Sequence, residues 1–419
     1  MSAAPILSLA WRSILSRGVT ALLTVATVAV SVMLFLSVEK ARHGARASFE
    51  NTISGVDLIV GARSSPVNLL LYSVFHIGDA TNNITWDSYQ EVANAPGVAW
   101  TVPISLGDSH RGYRVVGTTQ GFFERYQYAG RRPLRFNEGQ PFERLFDAVV
   151  GATVARQLGY QTGDEIIVAH GAGAVSFIEH DLNPFTITGI LAPTGTPVDR
   201  SVFVSLEAIE AIHLDGATGR GTARSLEELE AMDLRPDQIT AFLVGLDSPV
   251  GALRLQRAVN TYPREPLQAI MPGVALAQLW QVVGAAETTL AAVAAFVVLT
   301  GLISILISIL TSLNERRREM AILRALGARP GHIFALLVME AALLALAGAL
   351  IGAGLTHGAL QLGAPVLEAR YGILIAGLAP GLTDAVVVAG VTLAAAVLGA
   401  FPAWRAYRQS LADGMTIRV

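Results

Sequence analysis

The chain has no cysteine. That excludes disulfide bonds, thiolate metal sites and cysteine nucleophiles, and it is compatible with an oxidising compartment. The sequence also lacks Gly-x-x-x-x-Gly-Lys-Ser/Thr, the loop whose backbone amides cradle nucleotide phosphates, so ATP has no ordinary seat on this polypeptide. No Gly-x-Ser-x-Gly elbow occurs, and hydrolase chemistry finds no support. Charge is scarce: 15% of residues are Asp, Glu, Lys or Arg, whereas soluble domains carry about 25%. The formal net charge is −3 and no basic run is interleaved with aromatics, which speaks against a nucleic acid partner. Apolar residues are abundant, at 52% of the chain with a mean hydropathy of +0.49. They gather in four long runs, one early and three late, and the expectation is an integral membrane protein. The polar middle, roughly 240 residues, is long enough for one or two domains with their own cores.

Residues 1–17 form a basic lead-in that ends in Trp11–Arg17, WRSILSR. Residues 18–38 are apolar for about 20 positions, which suits a spanning helix. A cleaved signal peptide competes, with Ala45-Arg46-Ala47 as its box. The run is longer than a usual signal core, however, and the box stands beyond several charged residues. Arg12 and Arg17 keep the N-terminus inside. Residues 39–287 then lie outside and begin with a stalk helix, Glu39–Glu50. Strand-like pieces follow at Val56–Val60, Arg114–Gly117, Ala148–Val150, Glu165–Ala169, Phe185–Ile190, Ser201–Ser205 and Ile239–Leu246. Helix-like pieces interleave at Trp86–Asn94, Ala152–Leu158, Leu206–Ile212, Leu226–Met232 and Pro249–Tyr262. The Gly-, Thr- and Glu-rich stretch His213–Leu234 reads as a mobile loop.

Three more spans are expected at 288–312, 333–357 and 384–407. Residues 313–332 are then inside, 358–383 form a short outer loop, and the tail 408–419 is inside, in keeping with Arg405, Arg408 and Arg418. The predicted fold class is an α-helical membrane protein with four transmembrane helices plus an α+β extracytoplasmic domain inserted between the first and second.

One stretch organises this plan. Asn314–Arg329, NERRREMAILRALGAR, is a charged island between two apolar runs. It reads as a helix closed by Gly327 and Pro330. Met320, Leu323 and Leu326 line one side; Glu315, Arg316, Arg317, Arg318, Glu319 and Arg324 supply the charge. A cationic amphipathic helix between two spans lies along the inner membrane surface. From the residues alone it is either a topology signal or a docking helix for a cytoplasmic partner.

ERRREMAILRALGA followed by a span resembles the coupling loop of the FtsX-like/MacB-like permeases of ABC transporters, the type VII group. The resemblance covers most of the chain. Asp147–Val168, DAVVGATVARQLGYQTGDEIIV, is similar to the family's strand–helix–strand segment, and Phe185–Glu207 to its next strand pair. Phe401–Ala406, FPAWRA, resembles the family's Pro-Ala-x-x-Ala ending, with Arg405 where Arg is common. The resemblance implies that Glu315–Leu326 couples to a separate cytoplasmic ABC ATPase. It implies two ATPase copies and two copies of this chain, a homodimer. No cofactor is then expected on this chain, and ATP and Mg2+ sit on the partner. Membrane lipid and a periplasmic protein or lipoprotein are further partners. The chain is expected to be non-enzymatic, in the bacterial inner membrane with its large domain in the periplasm. The expected function is a permease subunit that transmits ATP-driven motion to the periplasmic domain, for export or for lipoprotein/lipid handling. The alternative is a mechanotransmitting signalling or scaffold subunit that regulates a periplasmic partner, such as a cell-wall hydrolase, without transport.

Four further features ask for a place. Glu340 lies inside a predicted span, roughly 10–15 Å along the helix, where a carboxylate needs protein or water around it. It is either a structural group bonded to Ser304, Ser308 or Thr311, or a proton-coupling group. Gly348, Gly352 and Gly354 allow close helix approach, in a homodimer seam or pivot, or against the chain's own spans. His170, His180 and His213 are not linked by His-x-x-x-His or Glu-x-x-His spacing, so no metal site is expected and one could arise only through the fold. Within Ser64–Ile84, the residues Leu69, Leu70, Leu71, Tyr72, Val74, Phe75 and Ile77 form an apolar stretch too short to span. They are either core, or a surface facing a lipid or protein partner.

Overall fold

The structure is a computed structural model and describes residues 9–10, 12–171, 183–216, 226–315, 322, 324–325, 327–371 and 379–408. The elements begin with α1 (Gly18–Glu50), β1 (Leu58–Ala62), α2 (Pro66–Val74), β2 (Ile84–Thr85), α3 (Trp86–Ala93), β3 (Val98–His110), β4 (Tyr113–Thr118) and α4 (Gly121–Arg125). Next come β5 (Gln127–Tyr128), β6 (Arg132–Pro133), β7 (Phe136–Gly139), β8 (Asp147–Val150), α5 (Ala152–Leu158), β9 (Glu165–Ile166), β10 (Ala169–His170) and β11 (Phe185–Leu191). The chain continues through β12 (Ser201–Ser205), α6 (Leu206–Gly216), α7 (Leu226–Glu230), β13 (Gln238–Ile239), β14 (Ala241–Leu246), α8 (Ala252–Asn260) and β15 (Leu267–Ile270). It closes with α9 (Pro272–Glu315), α10 (Pro330–Tyr371) and α11 (Leu382–Arg408). The chain divides into a unit of residues 1–44, 284–366 and 375–419 and a unit of residues 45–283 and 367–374.

The first unit is helical. Four helices are long and apolar enough to cross a membrane: Gly18–Gly44, Pro272–Thr311, Pro330–Ala364 and Leu382–Trp404. The expected span and stalk of the first are one unbroken helix of 33 residues. Helices α9 and α10 run to 44 and 42 residues, so residues 358–371, expected as an outer loop, are helical. Small and β-branched residues fill the interior, among them Val28, Val32, Ala341, Ala345, Ala349 and Ala395. The outward faces are bare hydrocarbon: Val19, Leu22, Phe296 and Leu393 are each more than 60% exposed, as lipid-facing residues should be.

The second unit is built on an 11-stranded mixed sheet in the order β15-β1-β14-β3-β4-β12-β8-β11-β7, with β10 on β3 and β9 on β11. The pairs β4–β12 and β8–β11 are parallel, and the other pairings are antiparallel. Successive residues of a strand face opposite sides, and both sides are buried. Phe203, Val149 and Val116 join one core with α2 and α4, while Val202, Val150 and Val115 join another with α5 and α6. Likewise Leu243 lies in the first core and Phe242 and Val244 in a third.

Helix α2 settles the apolar stretch near residue 70. Ser65 caps its N-terminus by accepting from the Asn68 amide at 3.0 Å, and Pro66 occupies its first turn. Leu69, Leu70, Tyr72, Val74 and Phe75 are all buried in the first core, with at most 7% exposure, and Leu71 packs against it. Gly61 of β1 leaves the room: a Cβ there would stand 2.7 Å from the Tyr72 hydroxyl and 2.8 Å from a Leu69 methyl. The reading of this stretch as a partner or lipid surface is therefore corrected, because a short helix docked on a sheet hides five of its seven apolar side chains. Ile77 alone is left mainly exposed, at 53%.

Candidate functional sites

In the helical unit, α9 ends at Glu315. Arg316, Arg317, Arg318, Glu319, Met320, Leu323 and Leu326 lie outside the described residues, while Arg324 is helical. The closure is described as well. Gly327 adopts φ 95°, its amide donates to the Arg324 carbonyl at 3.0 Å, and Pro330 starts α10. A left-handed residue at this point is what a glycine helix cap supplies.

Glu340 on α10 is 5% exposed. Two of its partners are on the N-terminal segment: Ser13 Oγ donates to Oε2 at 3.2 Å, and the Arg17 guanidinium lies 4.0 Å from Oε1. The expected partners were Ser304, Ser308 or Thr311, yet the Thr311 hydroxyl donates to its own helix at Ile307. The correction has a simple cause. Glu340 sits near the start of α10, level with the basic lead-in, and a buried carboxylate is least costly beside a guanidinium. Of the three glycines, Gly348 and Gly352 face α1. A Cβ on Gly352 would lie 2.4 Å from the Ala29 carbonyl oxygen, and one on Gly348 2.7 Å from Val28 Cβ. Gly354 has open space beside it. Two of the three thus serve packing within the chain.

A charged junction that the sequence reading did not find lies at the opposite helix ends. Lys40 Nζ of α1 is 3.1 Å from Asp384 Oδ2 of α11, and His357 Nε2 of α10 is 3.5 Å from the same oxygen. Asp384 Oδ2 also accepts from the Gly381 amide at 2.7 Å, so it caps α11 while joining three helices. The signal was available: Lys40, His357 and Asp384 each stand at the same membrane-side end of a predicted span.

In the sheet unit, His76 and His110 are settled within the fold. His76 Nδ1 meets Ser201 Oγ at 2.8 Å, and burial, reinforced by the Arg114 cation, brings its pKa down to about 4. His110 Nδ1 meets the Ile167 carbonyl at 2.6 Å and Nε2 meets the Tyr160 hydroxyl at 2.8 Å, and burial again favours the neutral ring. A carbonyl only accepts, so Nδ1 carries the proton and Nε2 accepts from tyrosine. A polar cleft of about 640 Å³ opens among Thr118, Gln120, Glu143, Glu207, Asp233 and Arg235. His180 lies outside the described residues, whereas His170 ends β10 and His213 lies on α6.

Four apolar helices, with a mixed-sheet domain between the first and the second, define a multi-pass membrane protein with a large extracytoplasmic domain. The family model of the MacB-like periplasmic core domain matches residues 21–261, more than half of the chain, and that of the FtsX-like permease C-terminal region matches residues 291–411. The chain belongs to the FtsX/MacB-like family of ABC transporter permeases. Among solved structures it is similar to the periplasmic region of MacB from Actinobacillus actinomycetemcomitans, with 8% identity and a TM-score of 0.34 over 54% of this chain and 94% of that one. It is also similar to the extracellular domain of the noncanonic ABC-type transporter YknZ from Gram-positive bacteria, with 12% identity and a TM-score of 0.30 over 51% of this chain and 98% of that one. No curated protein matches.

Proposed function

We propose that this chain is the transmembrane subunit of an inner-membrane ABC system that carries ATP-driven motion to its periplasmic domain, for export or for lipoprotein and lipid handling. Two copies would pair with two cytoplasmic ATPase subunits, and ATP and Mg2+ would be bound there. What supports the reading is the length of α9. Its 44 residues extend roughly 66 Å at 1.5 Å per residue, about twice the hydrocarbon thickness of a bilayer. It begins two residues after the last strand of the sheet and ends at the charged island. A continuous helix of that length is a lever, and it needs no cofactor or catalytic group of its own. Helix α1 provides the second lever on the other side of the sheet domain in sequence.

The test reverses Arg316, Arg317 and Arg318 to Glu in the full chain. The variant is expected to insert and fold as the parent does, but to lose co-purification with the ATPase and to stop stimulating ATP hydrolysis. If the variant still binds and stimulates the ATPase, the island is only a topology signal and the coupling proposal fails.

A further inference from the structure

Two surfaces of the sheet unit carry opposite, uncompensated charge. The first is the β5–β6 hairpin. Arg125, Arg131, Arg132 and Arg135 lie on it or at its base, and all four are exposed. Among the described residues none of the four has an ion pair or a side-chain hydrogen bond. The acids of the same stretch are Glu124 and Glu138, so four cations stand against two anions. The hairpin is held firmly. Ala129, Gly130 and Arg131 at its tip are all left-handed, with φ of 42°, 75° and 72°. Such backbone persists only where its surroundings fix it. Here the Ala129 amide donates to the Asn51 carbonyl and the Ser54 amide to the Gln127 carbonyl, each at 2.8 Å. The second surface is the polar cleft of about 640 Å³. Its floor is apolar and closed, with Phe142 4% and Leu234 7% exposed. On its rim Glu143, Glu207 and Glu230 are exposed, and among the described residues they make no ion pair. Asp233 is matched by Arg235. That leaves three carboxylates against Arg144 among the lining residues.

We propose that these two surfaces meet between two copies of the chain: the Arg131–Arg132 tip of one copy enters the carboxylate-rimmed cleft of the other, and the reverse contact forms at the same time. Such pairing presupposes the two copies per assembly proposed above. Within one chain the hairpin does not fill the cleft, since no residue of β5, β6 or their turn lines it. Symmetry allows the exchange. Gln120 lines the cleft and directly precedes α4, while Arg125 ends α4 and leads into β5. The five residues of α4 extend roughly 7.5 Å. A two-fold axis across α4 therefore sets hairpin against cleft twice, and a two-fold contact closes on itself. The rim selects a cationic occupant, and a guanidinium matches a carboxylate with two parallel hydrogen bonds. The chain supplies a segment of that charge itself, so no second protein has to be invoked. Exposed ion pairs are individually weak, but copies confined to one membrane meet at high effective concentration, and complementary charge then fixes register and partner.

The experiment uses the full chain in detergent. The chain has no cysteine, so introduced cysteines report alone. Arg132→Cys on the hairpin is combined with Met232→Cys in the cleft lining, and a short bismaleimide is added. Denaturing gels should show a cross-linked dimer for the pair. Val250→Cys combined with Met232→Cys, which uses an exposed position before α8, should stay monomeric. Adding Arg125→Glu and Arg131→Glu to the reporting pair should cut the cross-linked fraction by about 10-fold, because like charges then oppose each other. Adding Glu207→Arg and Glu230→Arg as well should restore it. All the changed side chains are exposed, and melting curves check that each variant folds. If light scattering finds the parent dimeric but the pair does not cross-link, the proposal is overturned while the two-copy reading stands. A monomeric parent overturns both. A cross-link indifferent to charge reversal, or a linked product of monomer mass, overturns the proposal too.

Discussion

The two units use apolar residues in opposite ways. In the sheet unit the large side chains are inside: Tyr72, Phe122, Phe203 and Phe242 are fully buried. In the helical unit the interior is small, with Ala341, Ala345 and Ala349 at 0% exposure, while Leu22 and Phe296 stand outward at 68% and 67%. Water drives the first arrangement, since each large side chain buried stabilises by about 1.5–3 kcal/mol. Lipid removes that drive between helices, so close contact takes over and small residues let backbones approach. The same alphabet therefore reads differently on the two sides of Gly44. Buried large residues such as Leu36 and Leu337 occur in the helical unit too, but only there do apolar residues such as Leu22, Phe296 and Leu393 cover whole outward faces.

The largest effect that can test this contrast is in the sheet core. Leu70→Ser combined with Phe75→Ser should remove about 5 kcal/mol or more, comparable with a whole domain's margin of about 5–15 kcal/mol. Limited proteolysis should then degrade the extracytoplasmic domain rapidly. A resistant, folded double mutant would return α2 to the surface. An intermediate effect is expected in the helical unit. Gly352→Leu must push the backbone of α1 away and should lower the melting temperature in detergent by an amount matching about 1–3 kcal/mol. Gly354→Leu, beside open space, should melt close to the parent. Equal effects at the two positions would mean that close approach is not what these glycines provide.

The smallest effect is a pH dependence confined to the sheet unit. The His76 pKa falls from 6.5 in the unfolded chain to about 4 in the fold. Its contribution to stability is complete above pH 6.5. It is lost as pH falls toward 4, because the unfolded chain takes up the proton first. Asparagine tolerates the left-handed backbone at this position, where φ is 53°. His76→Asn should therefore flatten the acid side of the stability curve without altering the neutral plateau much. An unchanged slope would assign the acid sensitivity elsewhere, with His110 as the next candidate.

The parts of this molecule legible in the sequence were those set by local pattern. Ser201–Ser205 and Ala152–Leu158 were predicted with the bounds they have, because a run of alternating or helical apolar residues between turn signals needs little context. Strand β3 was not predicted, although it is the longest at 13 residues. Pro103, Gly107 and Asp108 break its alternation, and its register against β4 shifts between Leu106 and Ser109. What holds it, besides the adjacent β4, is pairing with β14 and β10, which are distant in sequence. The sites divided along the same line. Glu340 was recognisable as a costly intramembrane acid, but its partners Ser13 and Arg17 are more than 320 residues away. The apolar character of Leu69–Ile77 was plain, and only the sheet decides that it faces inward. The approach of Asp108 to His213 at 3.6 Å was not legible, because it depends on strand β3.

Lys40 is the only lysine in the chain. Its side chain is 14% exposed against Asp384. Acylating reagents therefore meet a single side-chain amine in the whole polypeptide, and it sits where three helices come together. The rate at which that amine is modified becomes a clock for the junction, slow while the ammonium is held and faster whenever α1 parts from the head of α11. No label has to be engineered to read it, and adding nucleotide and the proposed ATPase partner to the full chain would show whether the junction opens as ATP is turned over.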